Sequence, residues 1–71
     1  MKKETLRELR ERNKKTCAEV AQALGVGKRS LYYYETGQRR IGLEQILVLA
    51  ELYDVNEGDV IRAQLNSQNA R

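Results

Sequence analysis

Thr16-Cys17-Ala18-Glu19-Val20-Ala21-Gln22-Ala23-Leu24-Gly25-Val26-Gly27-Lys28-Arg29-Ser30-Leu31-Tyr32-Tyr33-Tyr34-Glu35-Thr36-Gly37 is the stretch that decides the fold. Thr16 is a good N-cap, because its side chain can accept a backbone N–H at a helix start, and Glu19 three residues on completes a capping-box pattern. Val20, Ala21 and Leu24 then share one face of a helix. Gly25 suits the left-handed conformation that ends helices. Val26, the apolar centre of the Gly25-Val26-Gly27 turn, is placed to plug the corner between two helices. The next helix is predicted over residues 28 to 36. Leu31 and Tyr34 lie three apart on its inward face, which leaves Lys28, Arg29, Tyr32 and Tyr33 on or near the outward side. Gly37 ends it. Two helices joined by a tight glycine turn form a helix-turn-helix unit, and small Ala21 sits where the two must approach closely.

Outward from this unit, three more helices are predicted. Before it, residues 3 to 13 place Leu6 and Leu9 on one side with Arg10 and Asn13, while Arg7, Glu8, Glu11 and Arg12 face water. After it, residues 38 to 42 form a basic loop with Arg39 and Arg40. Residues 43 to 53 carry a helical stripe of Leu43, Ile46, Leu47, Ala50 and Tyr53, with Val48, Leu49 and Leu52 extending the apolar surface. A fifth helix starts after Asn56 and carries Val60, Ile61 and Leu65. No strand pattern appears. The expected architecture is all-α, a compact five-helix bundle forming one domain over residues 1 to 66, with residues 67 to 71 a frayed polar tail.

Bulk composition narrows the function. The 71 residues have room for one small core, and 41% hydrophobic with 32% charged residues is globular usage. No apolar run approaches the roughly 20 residues of a membrane span, and the N-terminal Met-Lys-Lys-Glu-Thr-Leu has no signal-peptide character. A cytoplasmic location is expected. Histidine is absent and Cys17 is the single cysteine, which removes imidazole triads and the usual metal spacings. No catalytic activity, metal or cofactor is expected. Residues 1 to 41 hold eleven Lys/Arg against five Glu, and residues 42 to 71 hold two Arg against five Asp/Glu. Positive charge concentrated in this way attracts an anionic partner such as nucleic acid.

Three signatures carry a family resemblance: Ala-Glu-Val-Ala-Gln-Ala-Leu-Gly-Val from Ala18, Tyr-Glu-Thr-Gly-Gln-Arg-Arg from Tyr34, and Leu-Glu-Gln-Ile-Leu-Val-Leu-Ala from Leu43. Over about residues 3 to 65 the chain resembles the lambdoid phage repressor and Cro helix-turn-helix family. The resemblance implies the five-helix fold and a recognition helix starting near Lys28. Lys28, Arg29 and Tyr33 match base-reading positions, with Tyr32 a neighbour to them. Arg or Lys on guanine O6 and N7 is the commonest specific major-groove contact, and the Tyr33 ring could pack on a thymine methyl. Thr16, Cys17, Thr36, Gln38, Arg39 and Arg40 match phosphate-gripping positions, which fix register without reading sequence. Lys14 and Lys15 could approach the same strand. Arg10 and Glu35 match a structural salt bridge. Tyr34 reads as core.

The departures are informative. Cys17 stands where the family often has a phosphate-binding Gln, which leaves only backbone N–H groups for the anion there. Ile41 and Gly42 replace a frequent Pro and an N-capping Ser, which predicts a looser junction before the fourth helix. Val48 stands where a polar residue is common and makes an i, i+4 apolar pair with Leu52. Together with Ile61 and Leu65 these residues are the expected dimer seam, with core burial as the competing reading. The implied function is a sequence-specific transcriptional regulator of repressor or controller type. It would read a palindromic or pseudo-palindromic operator in double-stranded DNA as a homodimer, with no small-molecule ligand. The alternatives are an antitoxin-type or protein-interaction module with weak or no specific DNA binding, and structure-selective RNA binding.

Overall fold

The computed structural model describes residues 4 to 69. Among them the chain forms five α-helices and no strand: α1 (Leu6–Arg12), α2 (Cys17–Leu24), α3 (Lys28–Glu35), α4 (Leu43–Leu52) and α5 (Glu57–Asn69). Residues 1 to 3, 70 and 71, which fall in the expected domain start and tail, lie outside the described residues.

Capping chemistry sets the boundaries of the first two helices. Thr16 is extended at φ −85, ψ 161, and its Oγ1 accepts the Glu19 N–H at 3.1 Å while Glu19 Oε1 accepts the Thr16 N–H at 3.0 Å. The same reciprocal box starts α1. Thr5 Oγ1 accepts from Glu8 N at 3.2 Å, and Glu8 Oε1 accepts from Thr5 N at 3.0 Å. Helix α1 therefore begins at Leu6, and the expected start at residue 3 is corrected: the extended backbone of Thr5 stops the helix from running further back. Gly25 takes the left-handed conformation at φ 72, and the Val26 N–H turns back to the Ala21 carbonyl at 3.0 Å to close α2.

The core comprises Leu6, Leu9, Val20, Ala21, Leu31, Tyr34, Ile41, Leu49, Ala50, Tyr53, Val60 and Ala63, with Leu24, Val26, Ile46, Leu52 and Val55 packed against it. Every helix contributes, and each fully buried large apolar side chain is worth about 1.5–3 kcal/mol relative to exposure. Burial pushes the Tyr53 phenol well above its ordinary pKa; the Glu35 charge adds to this and the Arg10 charge opposes it.

Two features of the C-terminal half differ from the sequence reading. Helix α5 continues through Asn69, past the point where a frayed tail is expected. Ser67 is 2% exposed; its Oγ donates to the Ala63 carbonyl and accepts the Leu6 N–H, both at 2.9 Å. Asn66 Nδ2 donates to the Glu4 carbonyl at 2.9 Å. These polar residues are thus used to tie α5 to the start of α1, a role invisible in a polar run. The junction before α4 is also anchored rather than loose. Ile41 is buried and its N–H donates to Gln64 Oε1 at 3.3 Å, and Gln45 Oε1 accepts the Gly42 N–H at 2.8 Å. The apolar Ile41 side chain does by burial what a Pro would do by restricting φ.

Candidate nucleic-acid interface

The outward face of α3 is built by burying the opposite one. Leu31 and Tyr34 are 3% and 8% exposed, and the Tyr34 hydroxyl accepts from Gln45 Nε2 on α4 at 3.3 Å. With those two anchored, helical spacing presents Lys28, Arg29 and Tyr32 to solvent and leaves Tyr33 half-buried. The N-cap of α3 is Gly27, which supplies no side-chain hydrogen bond. No acidic residue stands in the first turn of α3, so nothing there neutralises Lys28 and Arg29.

The basic loop folds back on the end of α3. The Tyr33 carbonyl accepts the N–H groups of Gln38 at 2.9 Å and Arg39 at 3.1 Å. Thr36 Oγ1 donates to the Tyr32 carbonyl at 2.9 Å and accepts from Gln38 Nε2 at 3.0 Å. The single hydroxyl hydrogen of Thr36 is therefore committed inside the chain, and a phosphate would have to displace it. The Arg39 guanidinium carbon lies 5.3 Å from the centre of the Tyr33 ring, within cation–π range. The Tyr32 and Tyr33 rings are 5.9 Å apart, tilted by 59°. Arg40 and Gln38 are exposed on the same loop.

The start of α2 meets this surface. A cleft lined by Arg7, Arg10, Cys17, Tyr32, Glu35 and Thr36 joins it to the second half of α3. Cys17 is exposed and its thiol is unbridged. Thr16 is exposed too, but its oxygen already holds the Glu19 N–H. Those capping bonds, the backbone N–H of Thr16 first, hold the Glu19 carboxyl below its ordinary pKa. The interaction is therefore complete above the ordinary carboxylate range and is lost as pH falls through the lowered value. Arg7 faces water, as helical periodicity predicts, and also lines the cleft. It is exposed and pairs loosely with Glu11 at 3.4 Å. The signal available in the sequence was its i, i+3 relation to Arg10 on the same helix face.

Arg10 and Glu35 are brought together under the cleft. Arg10 Nε donates to Glu35 Oε2 at 2.7 Å, and Nη2 donates to Oε1 at 3.3 Å. Their side chains are 11% and 8% exposed. Arg10 Nη1 also donates to the Lys15 carbonyl at 3.1 Å, so one guanidinium holds α1, the end of α3 and the approach to α2 in register. The Glu35 hydrogen bond raises the Arg10 pKa still further.

The expected dimer-seam residues lie on two helices, Val48 and Leu52 on α4 and Ile61 and Leu65 on α5. Val48 and Leu52 line an open groove with Ala23 and Glu51, and neither Ile61 nor Leu65 lines it. Leu52 packs partly against the core, whereas Ile61 and Leu65 are 44% and 49% exposed on α5. Leu43 and Leu47, two members of the expected helical stripe, are exposed on α4. Among the described residues no group of three or more Cys, Asp or Glu could hold a metal ion, and no helix is long and apolar enough to cross a membrane.

Comparison with known proteins bears on this geometry. A family model described as a helix-turn-helix domain matches residues 4–64. An HTH-type transcriptional regulatory protein of Thermococcus kodakarensis is 37% identical over 67 residues, covering 90% of this chain and 21% of that protein. A namesake from Pyrococcus horikoshii is 40% identical over 63 residues, covering 84% and 20%. The uncharacterized HTH-type transcriptional regulator YobD of Bacillus subtilis is 37% identical over 51 residues, covering 72% and 46%. The chain thus spans between a fifth and a half of the length of these relatives. No solved structure matches it.

Proposed function

We propose, from the premise that the chain belongs to the helix-turn-helix domain family, that it binds double-stranded DNA and regulates transcription without catalysing a reaction. Helix α3 enters the major groove. The observation that carries this reading is the two-sided build of α3: Leu31 and Tyr34 are locked into the core, and Lys28, Arg29, Tyr32 and Tyr33 are left on the other side. Lys28 and Arg29 read base edges, and Tyr33, with Tyr32 beside it, reads one step along. Gln38, Arg39 and Arg40 grip phosphate on one flank. On the other flank the start of α2 at Thr16 and Cys17 approaches the backbone, with Arg7 reaching the same strand. Thr36 serves by ordering the loop. The names of the relatives, HTH-type transcriptional regulators, favour the same reading.

The finer reading is a repressor- or controller-type regulator of lambdoid and Cro-like character, acting in the cytoplasm on a pseudo-palindromic operator, with no small-molecule ligand. A homodimer suits such an operator. The chain is 30 Å in its longest dimension, and half-sites read on one face of DNA lie about 34 Å apart. One α3 reads one half-site, so two copies of this domain read two. Helices α4 and α5 pack on each other and carry two exposed i, i+4 apolar pairs, Leu43 with Leu47 and Ile61 with Leu65. With Val48, exposed on α4, they supply apolar surface for a self-complementary seam.

Selection of bound sites from random duplex DNA tests the reading, because it reports sequence, symmetry and half-site spacing together. The wild-type chain should enrich a two-fold symmetric site. Arg29→Ala should lose about 1–3 kcal/mol of discrimination at one base pair per half-site, the range for a bidentate contact to guanine. Unchanged preferences in Arg29→Ala would remove α3 from the reading role, and an asymmetric single site would remove the dimer.

A further inference from the structure

We propose that Arg39 is a specificity-determining residue that acts through Tyr33, and is not solely a phosphate grip. The inference rests on the DNA-binding reading above. Three observations join the two residues. The Tyr33 carbonyl accepts both the Gln38 and the Arg39 N–H, so the loop backbone is folded onto Tyr33 itself. The Arg39 guanidinium then lies over the Tyr33 ring at 5.3 Å. Among the described residues no carboxylate pairs with Arg39, so its guanidinium lies by the ring with its N–H groups free of any acid.

A half-buried tyrosine at a base step has more than one rotamer open to it, and only one of them presents the ring to a given base. Tyr32, tilted at 5.9 Å, limits the ring on one side. Arg39 supplies a second, attractive contact. A guanidinium can lie over a ring and still donate from its rigid five-hydrogen fork, whereas an ammonium is a compact, strongly hydrated charge on a flexible stem that holds a ring less firmly. Arg39 thus holds the reading ring in one orientation while its edge meets phosphate. Base preference at that step then depends on a residue that touches no base. The loop is held by Gln38 Nε2 donating to Thr36 Oγ1 at 3.0 Å, so the arrangement exists before DNA arrives.

The test compares wild type, Tyr33→Leu, Arg39→Gln, Arg39→Lys and the double variant Tyr33→Leu/Arg39→Lys by site selection and by affinity as a function of salt. Arg39→Gln should relax preference at the same base position as Tyr33→Leu, by about two- to five-fold, the scale of an exposed cation–π contact. Arg39→Lys should relax that position while keeping the wild-type salt slope, since the charge is retained. The double variant should discriminate no worse there than Tyr33→Leu alone. If the Arg39 variants weaken all sites equally, or relax a different position, Arg39 is a phosphate grip only and this inference falls while the DNA-binding reading stands. If the wild type enriches no site, the DNA-binding reading itself fails. A DNA-free measurement is independent of both outcomes: the Arg39 side-chain methylene protons should show an upfield ring-current shift that Tyr33→Leu removes. Absence of that shift in the wild type would overturn the pairing.

Discussion

Gly37→Ala is expected to lower stability by about 3–4 kcal/mol, two effects adding at one atom. Gly37 has φ +79, where an L side chain costs roughly 1–2 kcal/mol. A Cβ there would also stand 2.5 Å from the Ser67 carbonyl oxygen, 2.6 Å from the Gln68 Cα and 2.8 Å from the Gln68 N. All three are backbone atoms, so no side chain can swing aside; the last turn of α5 must move. That turn carries Ser67, which holds the Leu6 N–H at the start of α1. Displacing it loosens two helix termini at once, in a chain whose core supplies only a few kcal/mol of net stability. Gly25→Ala is the control. Gly25 has φ +72 but nothing within 4 Å of the added carbon, so it should cost only the backbone strain. Urea midpoints of the two variants decide the matter. Equal losses would mean that the close approach of Gly37 to α5 carries no energy.

Glu35→Ala should cost about 2–3 kcal/mol, because it leaves the largely covered Arg10 charge with the Lys15 carbonyl but no counter-ion. The estimate sits below the range for a fully buried pair because both side chains keep about a tenth of their exposure. The fork geometry, with bonds at 2.7 and 3.3 Å, is what a carboxylate offers and an amide offers only in part. Replacing both partners, as Arg10→Met/Glu35→Leu, should recover much of the loss, since the expense lies in the unpaired charge and not in the missing pair. The loss should also change little with added salt, unlike that of the exposed Arg7 and Glu11 pair. A Glu35→Ala variant within about 0.5 kcal/mol of wild type would show that the pair behaves as a surface contact. The double variant also bears on DNA binding, because Arg10 braces the Lys15 carbonyl ahead of α2.

Much of the helix-turn-helix was legible in the sequence because its determinants are local. Thr16 with Glu19, and Gly25 with Val26, act over three or four residues, and the structure contains each of their bonds. The identical box at Thr5 and Glu8 is equally local, and it sets the start of α1 at Leu6 rather than at residue 3. Helical periodicity placed Leu31 and Tyr34 inward, and so left Lys28 and Arg29 outward. It was less informative on α4. There nearly every position is apolar, and a pattern with no polar side cannot say which leucines are covered. Leu43 and Leu47 are exposed while Leu49 and Ala50 are buried, because α5 and α2 cover only part of that helix.

The sequence by itself determined the basic, outward face of α3 and the unit that presents it, since capping, turn chemistry and the 3.6-residue period all act within a few residues of one another. Only the tertiary structure decided what stands behind and beside that face. Ser67 closes the bundle against Leu6, sixty-one residues away, and α5 packs on Gly37 where the recognition helix ends. Arg39 turns back over Tyr33 once the loop has closed. Such contacts depend on chain segments meeting in space after the core has formed, and a polar tail or a basic loop carries no periodic mark of where it will be held.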